Sequence, residues 1–292
     1  MPNKSSIVEQ IVHRPPSTVI MKLSYIITTY NRPQLLENAV GFIARERCDD
    51  SELIIVDDNS QSAVLMPQLV ITAFPEAHRL IRTPTNLGVI GARNAGLAAA
   101  KGEFVLFLDD DDESLPNRTL DLLANIVNTS FDFVAGCSYM QTGEKEVVVP
   151  IKSGFMLSPE KLLLYPSHIN AVIWRRESFA RVGGLDNRVP YLGEHISMLL
   201  CLMQGGTAWL TTEVVARFRY IPAGLTKQAQ EQNTLKAHLT AMYQILQEES
   251  ETPVFRQLCD RVLTMLQRET ILEFDVYLEK LLPIIRGFVT LR

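Results

Sequence analysis

Cysteine is scarce here: 4 in 292 residues, at Cys48, Cys137, Cys201 and Cys259, with no C-x-x-C pair. So spaced, they read as reduced, mostly buried thiols, not as a disulfide framework. Basic charge is not in excess either, since 28 Lys and Arg face 33 Asp and Glu for a net charge of -5. That balance excludes a protein built to neutralise a nucleic-acid backbone. A small anionic ligand would need local help, from a metal ion or a few placed arginines. No apolar run approaches the roughly 20 residues that cross a bilayer. Glu9, His13, Arg14, Pro15 and Pro16 interrupt the first twenty residues, so no signal-peptide core is read there. The expectation is a cytoplasmic protein. A G-x-G-x-x-G after the first strand is also missing. Gly88, Gly91 and Gly96 have the wrong spacing for it, which disfavours a dinucleotide enzyme.

What is present is a normal core-forming composition, 47% hydrophobic and 21% charged. Leu23–Thr28 reads as a strand, and Asn31 as an N-cap with Pro33 inside the helix that follows. Leu36, Ala39, Val40 and Ile43 fall on that helix's inner face. Leu53–Val56 and Phe104–Leu108 are short all-apolar runs, the mark of strands buried on both faces. Between them Ala92–Ala100 reads as a small-residue helix closed by Gly102. Strand and helix alternate, which predicts an α/β fold with a mostly parallel sheet flanked by helices. In such sheets ligands bind at the carboxyl ends of the strands, and here those ends are acidic. Asn170–Trp174 and Val214–Arg219 read as further strands, with a helix over Glu194–Met203. After Thr226 apolar residues recur at helical spacing, as at Leu235, Leu239, Met242 and Leu246. The expected organisation is an arm over 1–21, an α/β unit over 22–226 and a small helical region over 227–292.

Phe104–Leu108 runs straight into Asp109, Asp110, Asp111, Asp112 and Glu113. Five adjacent carboxylates at the mouth of an apolar strand repel one another, and a divalent cation relieves that. Oxygen ligands suit Mg2+ or Mn2+. Asp109 and Asp111, two apart, can turn to one side and share a metal with a diphosphate. An EF-hand is excluded, because its sixth and twelfth positions would be Ser114 and Leu120. Five segments then stand in one order: Ser24–Pro33, Leu53–Ser60, Asn86–Gly96, Gly102–Asp112 and Arg175–Asp186. Together they resemble family 2 of the inverting glycosyltransferases, whose fold is called GT-A, over roughly residues 22–225.

The resemblance implies transfer of a sugar from a nucleotide sugar, expected to be a UDP-sugar, to a glycan or lipid-linked acceptor. It implies bacterial surface polysaccharide or glycoconjugate synthesis as the setting. It makes Asp109 and Asp111 metal ligands in a D-x-D motif, with Asp110 facing the donor's ribose. It puts Thr28 and Tyr30 beside the base and Asp58 on the uracil N–H, while Asp57 fits the turn. Arg93, near a helix start, is a candidate cation beside the donor, and Asn94 reads as helix–sheet packing. Relatives carry Glu-Asp at the start of a helix as the catalytic acid pair, and here the residues are Glu194 and His195. By position His195 replaces the base, but Glu194 keeps the chemistry, and the reading leans to Glu194. A second departure is Ile221 where many relatives have a metal-side histidine. These two changes motivate a rival reading, a non-catalytic nucleotide-sugar-binding protein. The C-terminal helices are candidates for core packing, for a homo-oligomer contact, or for peripheral contact with the inner face of the membrane.

Overall fold

The computed structural model describes residues 22–142, 145–148, 151–190, 192–219, 234–269 and 274–289. The expected arm over 1–21, Ile221 and the 226/227 boundary lie outside the described residues.

β1 (Leu23–Thr29), α1 (Pro33–Glu46), β2 (Ser51–Asp57), α2 (Gln68–Ala73), β3 (His78–Arg82), α3 (Gly88–Ala99) and β4 (Phe104–Asp109) alternate along the chain. The strands lie in the order β3-β2-β1-β4 and run parallel. Alternation along β1 divides the core. Leu23, Tyr25 and Ile27 pack with Leu36, Ala39, Val40 and Ile43 of α1. Ile26 points to the other face, with Ile90 and Ala92 of α3. Gly96 lets α3 lie close against the sheet, since a Cβ there would stand 2.5 Å from Ile26 Cγ2. The register sets Thr28 beside both Val56 and Asp109, so the carboxyl ends of β1, β2 and β4 are level.

The second part adds β5 (Glu113–Ser114), α4 (Arg118–Ile126), β6 (Phe133–Thr142), β7 (Lys145–Val147), β8 (Phe155–Met156) and α5 (Pro159–Leu164). A 3-10 turn (Ile169–Ala171), β9 (Val172–Arg175), α6 (Ser178–Val182), α7 (Gly193–Met203) and β10 (Ala208–Arg219) complete it. β9 lies antiparallel between β4 and β6, and β6 pairs in parallel with β10. Three C-terminal helices follow, α8 (Leu235–Glu249), α9 (Pro253–Arg268) and α10 (Phe274–Val289). α8 packs on α7 and α10 on α5. Among the described residues no helix is long and apolar enough to cross a membrane.

Three local expectations change. Asn31 is not the cap of α1: it sits at φ +56°, and its Oδ1 accepts from the Gln61 N–H at 2.7 Å. A left-handed residue whose side chain is drawn to another loop cannot receive the helix's own N–H groups, and Arg32 stands at the cap instead. Gly102 does not close α3, which ends at Ala99 with an extended Ala100. It lies under β1, where a Cβ would be 2.5 Å from the Ser24 nitrogen. The strand read from Asn170 starts at Val172, because Ile169–Ala171 forms the 3-10 turn.

Candidate functional site

The level strand ends collect the acidic residues in one mouth. Asp109 ends β4, and its two carboxylate oxygens accept from Nη2 of Arg93, each at 2.7 Å. Nη1 of the same guanidinium reaches Oε2 of Glu194 at 3.3 Å. Arg93 lies on α3 and is buried, so it is a bridge between β4 and the first turn of α7. Burial opposes its charge, but Asp109 and Glu194 outweigh that and hold its pKa above the usual value. For Asp109 burial pushes upward, yet Arg93 keeps the carboxyl below the ordinary range.

The next two acids turn the other way. Asp110 accepts from the Thr29 hydroxyl at 2.6 Å and from Arg32 at 3.2 Å, and Asp111 accepts from Arg32 at 2.8 Å. Burial above all, helped by Asp111 and Asp109, pushes Asp110 up to about 7 against the pull of Thr29 and Arg32. Burial and Asp109 also raise Asp111.

Asp112 turns back under the mouth. Its Oδ2 lies 3.6 Å from Nδ1 of His168 and accepts from the Asn170 side-chain amide. Asp109, Asp112 and His168 each offer one ligand atom, all within 4.8 Å of one another. Burial drives the His168 pKa down to about 4 although Asp109 and Glu194 pull it up. A neutral imidazole and two carboxylates are a chemically suitable donor set for a divalent cation. Asp111, expected as the foremost direct metal ligand, stands outside this trio, against Arg32.

Asp57 and Asp58 divide their work at the end of β2. Asp57 accepts from the Ser60 N–H at 2.9 Å, the Val64 N–H at 3.4 Å and Arg82 at 2.7 Å. Asp58 uses one oxygen, Oδ1, for the Thr83 hydroxyl at 3.0 Å and the Leu87 N–H at 2.8 Å. Its Oδ2 carries no hydrogen bond among the described residues. Thr28 is buried between β2 and β4, and Tyr30 is exposed at the rim. Asn94 does more than pack: it exchanges two 2.8 Å hydrogen bonds with the backbone of Leu185, tying the Gly183–Asp186 loop to α3.

That loop leads into α7. At Gly193 a Cβ would stand 1.9 Å from the Asp186 carbonyl oxygen, so only glycine fits where Glu194 and His195 enter the mouth. Glu194 is buried and paired with Arg93. His195 Nδ1 is buried without a hydrogen-bond partner among the described residues, 3.8 Å from Glu194, while a quarter of the side chain is exposed. Burial, assisted by Arg93, lowers its pKa against the pull of Glu194.

Sequence patterning did not single out Asp112, Asn170 or Arg32. The acidic run gave no sign of which members turn inward. Ser167–Asn170 lies far along the chain and has no spacing that ties it to that run. Glu194 and His195, marked in the sequence by the departure from relatives, stand on the first turn of α7, where Glu194 pairs with Arg93.

The profile described as Glycosyl transferase family 2 matches residues 24–181, just over half of the chain. An uncharacterized glycosyltransferase of Haemophilus influenzae is 33% identical over 192 residues, 62% of this chain and 62% of that protein. This chain thus spans less than two thirds of that relative's length. Among solved structures, S. aureus TarS 1-349 in complex with UDP-GlcNAc has a TM-score of 0.61 at 17% identity, covering 85% of this chain and 72% of TarS. The mannosyltransferase PcManGT from Pyrobaculum calidifontis, in complex with GDP-Man and Mn2+, has a TM-score of 0.59 at 16% identity, covering 98% of this chain and 80% of that one. These two likenesses fix the fold. The profile match runs from β1 into α6 and takes in Asp58, Arg93 and the whole acidic run. The chain belongs to glycosyl transferase family 2.

Proposed function

We propose that the chain moves a sugar from a UDP-sugar to a hydroxyl of a glycan or lipid-linked acceptor, with inversion at the anomeric carbon. The observation that carries this is the shared mouth of Asp58, the acidic run, His168 and the Glu194–His195 turn. Asp58 supports uridine in particular. With Oδ1 engaged, one carboxylate oxygen is left, which matches the single imide N–H of uracil, whereas guanine offers a wider donor edge. Tyr30 at the rim supplies an aromatic face for the base. Asp109, Asp112 and His168 would hold the metal, Mn2+ or Mg2+, and the imidazole favours Mn2+. Bound there, the metal supplies a Lewis acid beside the diphosphate, where negative charge develops as the sugar leaves.

His195 is the base in this reading. Glu194 is neutralised by a buried arginine, which supports a structural role for it. The lowered pKa of His195 keeps its imidazole unprotonated at neutral pH and able to accept the acceptor's hydroxyl proton. As that proton leaves, the acceptor oxygen attacks the anomeric carbon. The bond from that carbon to the diphosphate oxygen breaks, and UDP departs with the electron pair. One displacement gives one inversion.

The test is steady-state transfer with donor binding measured separately. His195→Ala should lower kcat about 10²–10⁴-fold with UDP affinity nearly intact. Glu194→Gln, which still accepts from Arg93, should cost much less. The reverse order would make Glu194 the base, and tighter binding of GDP than UDP in the presence of Mn2+ would refute the uridine assignment.

A further inference from the structure

One wholly buried residue touches every member of the proposed metal trio, two through its side chain and one through its backbone, and the reaction gives it no part. Asn170, at 0% exposure, accepts through Oδ1 from the Asp109 N–H at 3.0 Å. Its amide NH2 donates to Oδ2 of Asp112. Its own N–H faces Nδ1 of His168 at 3.5 Å. Only one amide orientation satisfies the first two bonds, because an N–H must be accepted and a carboxylate must be donated to. Asn170 therefore fixes the inward turn of the acidic run and joins it to the segment that carries His168.

Asn170 is itself held. Its carbonyl oxygen accepts from Nε of Arg118 at 2.7 Å, and Nη2 of Arg118 donates to the Phe107 carbonyl on β4. The third arm, Nη1, reaches Glu46 at 3.2 Å, which supplies the countercharge for a guanidinium at 0% exposure. A buried arginine that crosses from the 3-10 turn to the strand bearing Asp109 is a brace between the two halves of the site.

We infer that Asn170 is the positioning residue of the metal trio and that Arg118 braces it. The inference rests on the assignment of Asp109, Asp112 and His168 given above. Partners of this kind orient ligands, and their loss typically weakens metal binding by about 10–100-fold. The probe is Mn2+ alone, with free Mn2+ read by electron paramagnetic resonance. Melting temperature and metal-free UDP affinity are measured alongside. Asn170→Ala should weaken Mn2+ binding within that range at unchanged metal-free UDP affinity. Asn170→Ser, which can keep one of the two hydrogen bonds, should fall between it and the wild type. Arg118→Lys retains the charge beside Glu46 but cannot span both carbonyls, and should weaken Mn2+ binding several-fold. Should Asn170→Ala fail to fold, the serine and lysine variants carry the test.

Asp112→Asn separates the two layers of the argument. If it binds Mn2+ like the wild type, the metal trio is wrong and the positioning role falls with it. If it loses Mn2+ while the Asn170 and Arg118 variants keep wild-type affinity, only the positioning role is overturned. Loss of Mn2+ affinity in step with metal-free UDP affinity and melting temperature would mark Asn170 as a structural residue and also overturn it.

Discussion

Asp57 and Asp58 are neighbours of one chemical type, both buried, and their hydrogen bonds give them opposite characters. Asp57 has both oxygens filled by protein donors. Burial alone would raise its pKa, but Ser60, through its side chain and its N–H, with the Val64 N–H and Arg82, outweighs it and holds the carboxyl below the usual value. Such a group adds stability above its unfolded pKa, near 3.9, and that contribution is lost as pH falls through the lower folded pKa. Asp57→Asn should therefore be less stable than the wild type at pH 7, by about 1.5–3 kcal/mol for a charged hydrogen-bonded group. The gap should close below about pH 3. Denaturant unfolding at several pH values measures both, and a gap independent of pH would refute the charge argument. Asp58→Asn keeps Oδ1 for Thr83 and Leu87 but turns Oδ2 into a donor. It should weaken UDP binding roughly tenfold to a hundredfold, the equivalent of the same energy range, with a melting temperature near wild type. Calorimetric titration with UDP decides, and equal affinity would take the base away from Asp58.

At the scale of elements, the small-residue character of α3 has a mechanical reason that α1, on the other face of the sheet, lacks. Glycine inside a helix normally costs about 0.5–1 kcal/mol relative to alanine. Gly41 on α1 meets nothing closer than an arginine tip at 3.7 Å, so Gly41→Ala should stabilise the protein by about that amount. At Gly96 the added methyl would press on Ile26 at 2.5 Å and Val56 at 3.2 Å. Overpacking of this kind costs about 1–3 kcal/mol, so Gly96→Ala should destabilise. Opposite shifts of the denaturation midpoint are expected, and shifts of the same sign would mean the α3–sheet contact is loose. The helices and buried strands were legible because period and burial leave their mark on nearby residues: Leu36 to Ile43 declares α1, and Phe104–Leu108 declares β4. Asn31 misled because a left-handed asparagine and a capping asparagine look alike in sequence. Asp112 and Asn170 were hidden because their pairing depends on how β9 enters beside β4, a contact between distant segments that no local spacing encodes.

For the whole molecule, the question is whether the three C-terminal helices are an appendage or part of the body. Leu235, Leu239, Met242, Tyr243 and Leu246 of α8 belong to one buried cluster with Ile196, Leu199 and Leu200 of α7. Tyr277, Leu281 and Ile285 of α10 join it, and Tyr243 and Tyr277 share a buried 2.9 Å hydrogen bond. These apolar residues, open in sequence to a membrane or a second subunit, are occupied by contacts with the α/β part. Lys280 and Arg286 are the exposed side of α10. A shared core predicts shared unfolding. Leu246 is fully buried, so Leu246→Ala should cost about 2–5 kcal/mol. The chain's 2 tryptophans, Trp174 on β9 and Trp209 on β10, both sit in the sheet and report on the α/β part alone. If the helices and the sheet are one cooperative body, Leu246→Ala should move the tryptophan fluorescence transition and the far-ultraviolet helix signal by the same amount. An independent helical unit would give the other result: the fluorescence midpoint would stay in place while part of the helix signal melted earlier. Because α7 carries Glu194 and His195 on its first turn and packs on α8 within one buried cluster, loosening that contact also reaches the site. The same variant should lose transfer activity at a denaturant concentration lower by the fluorescence shift, and not before.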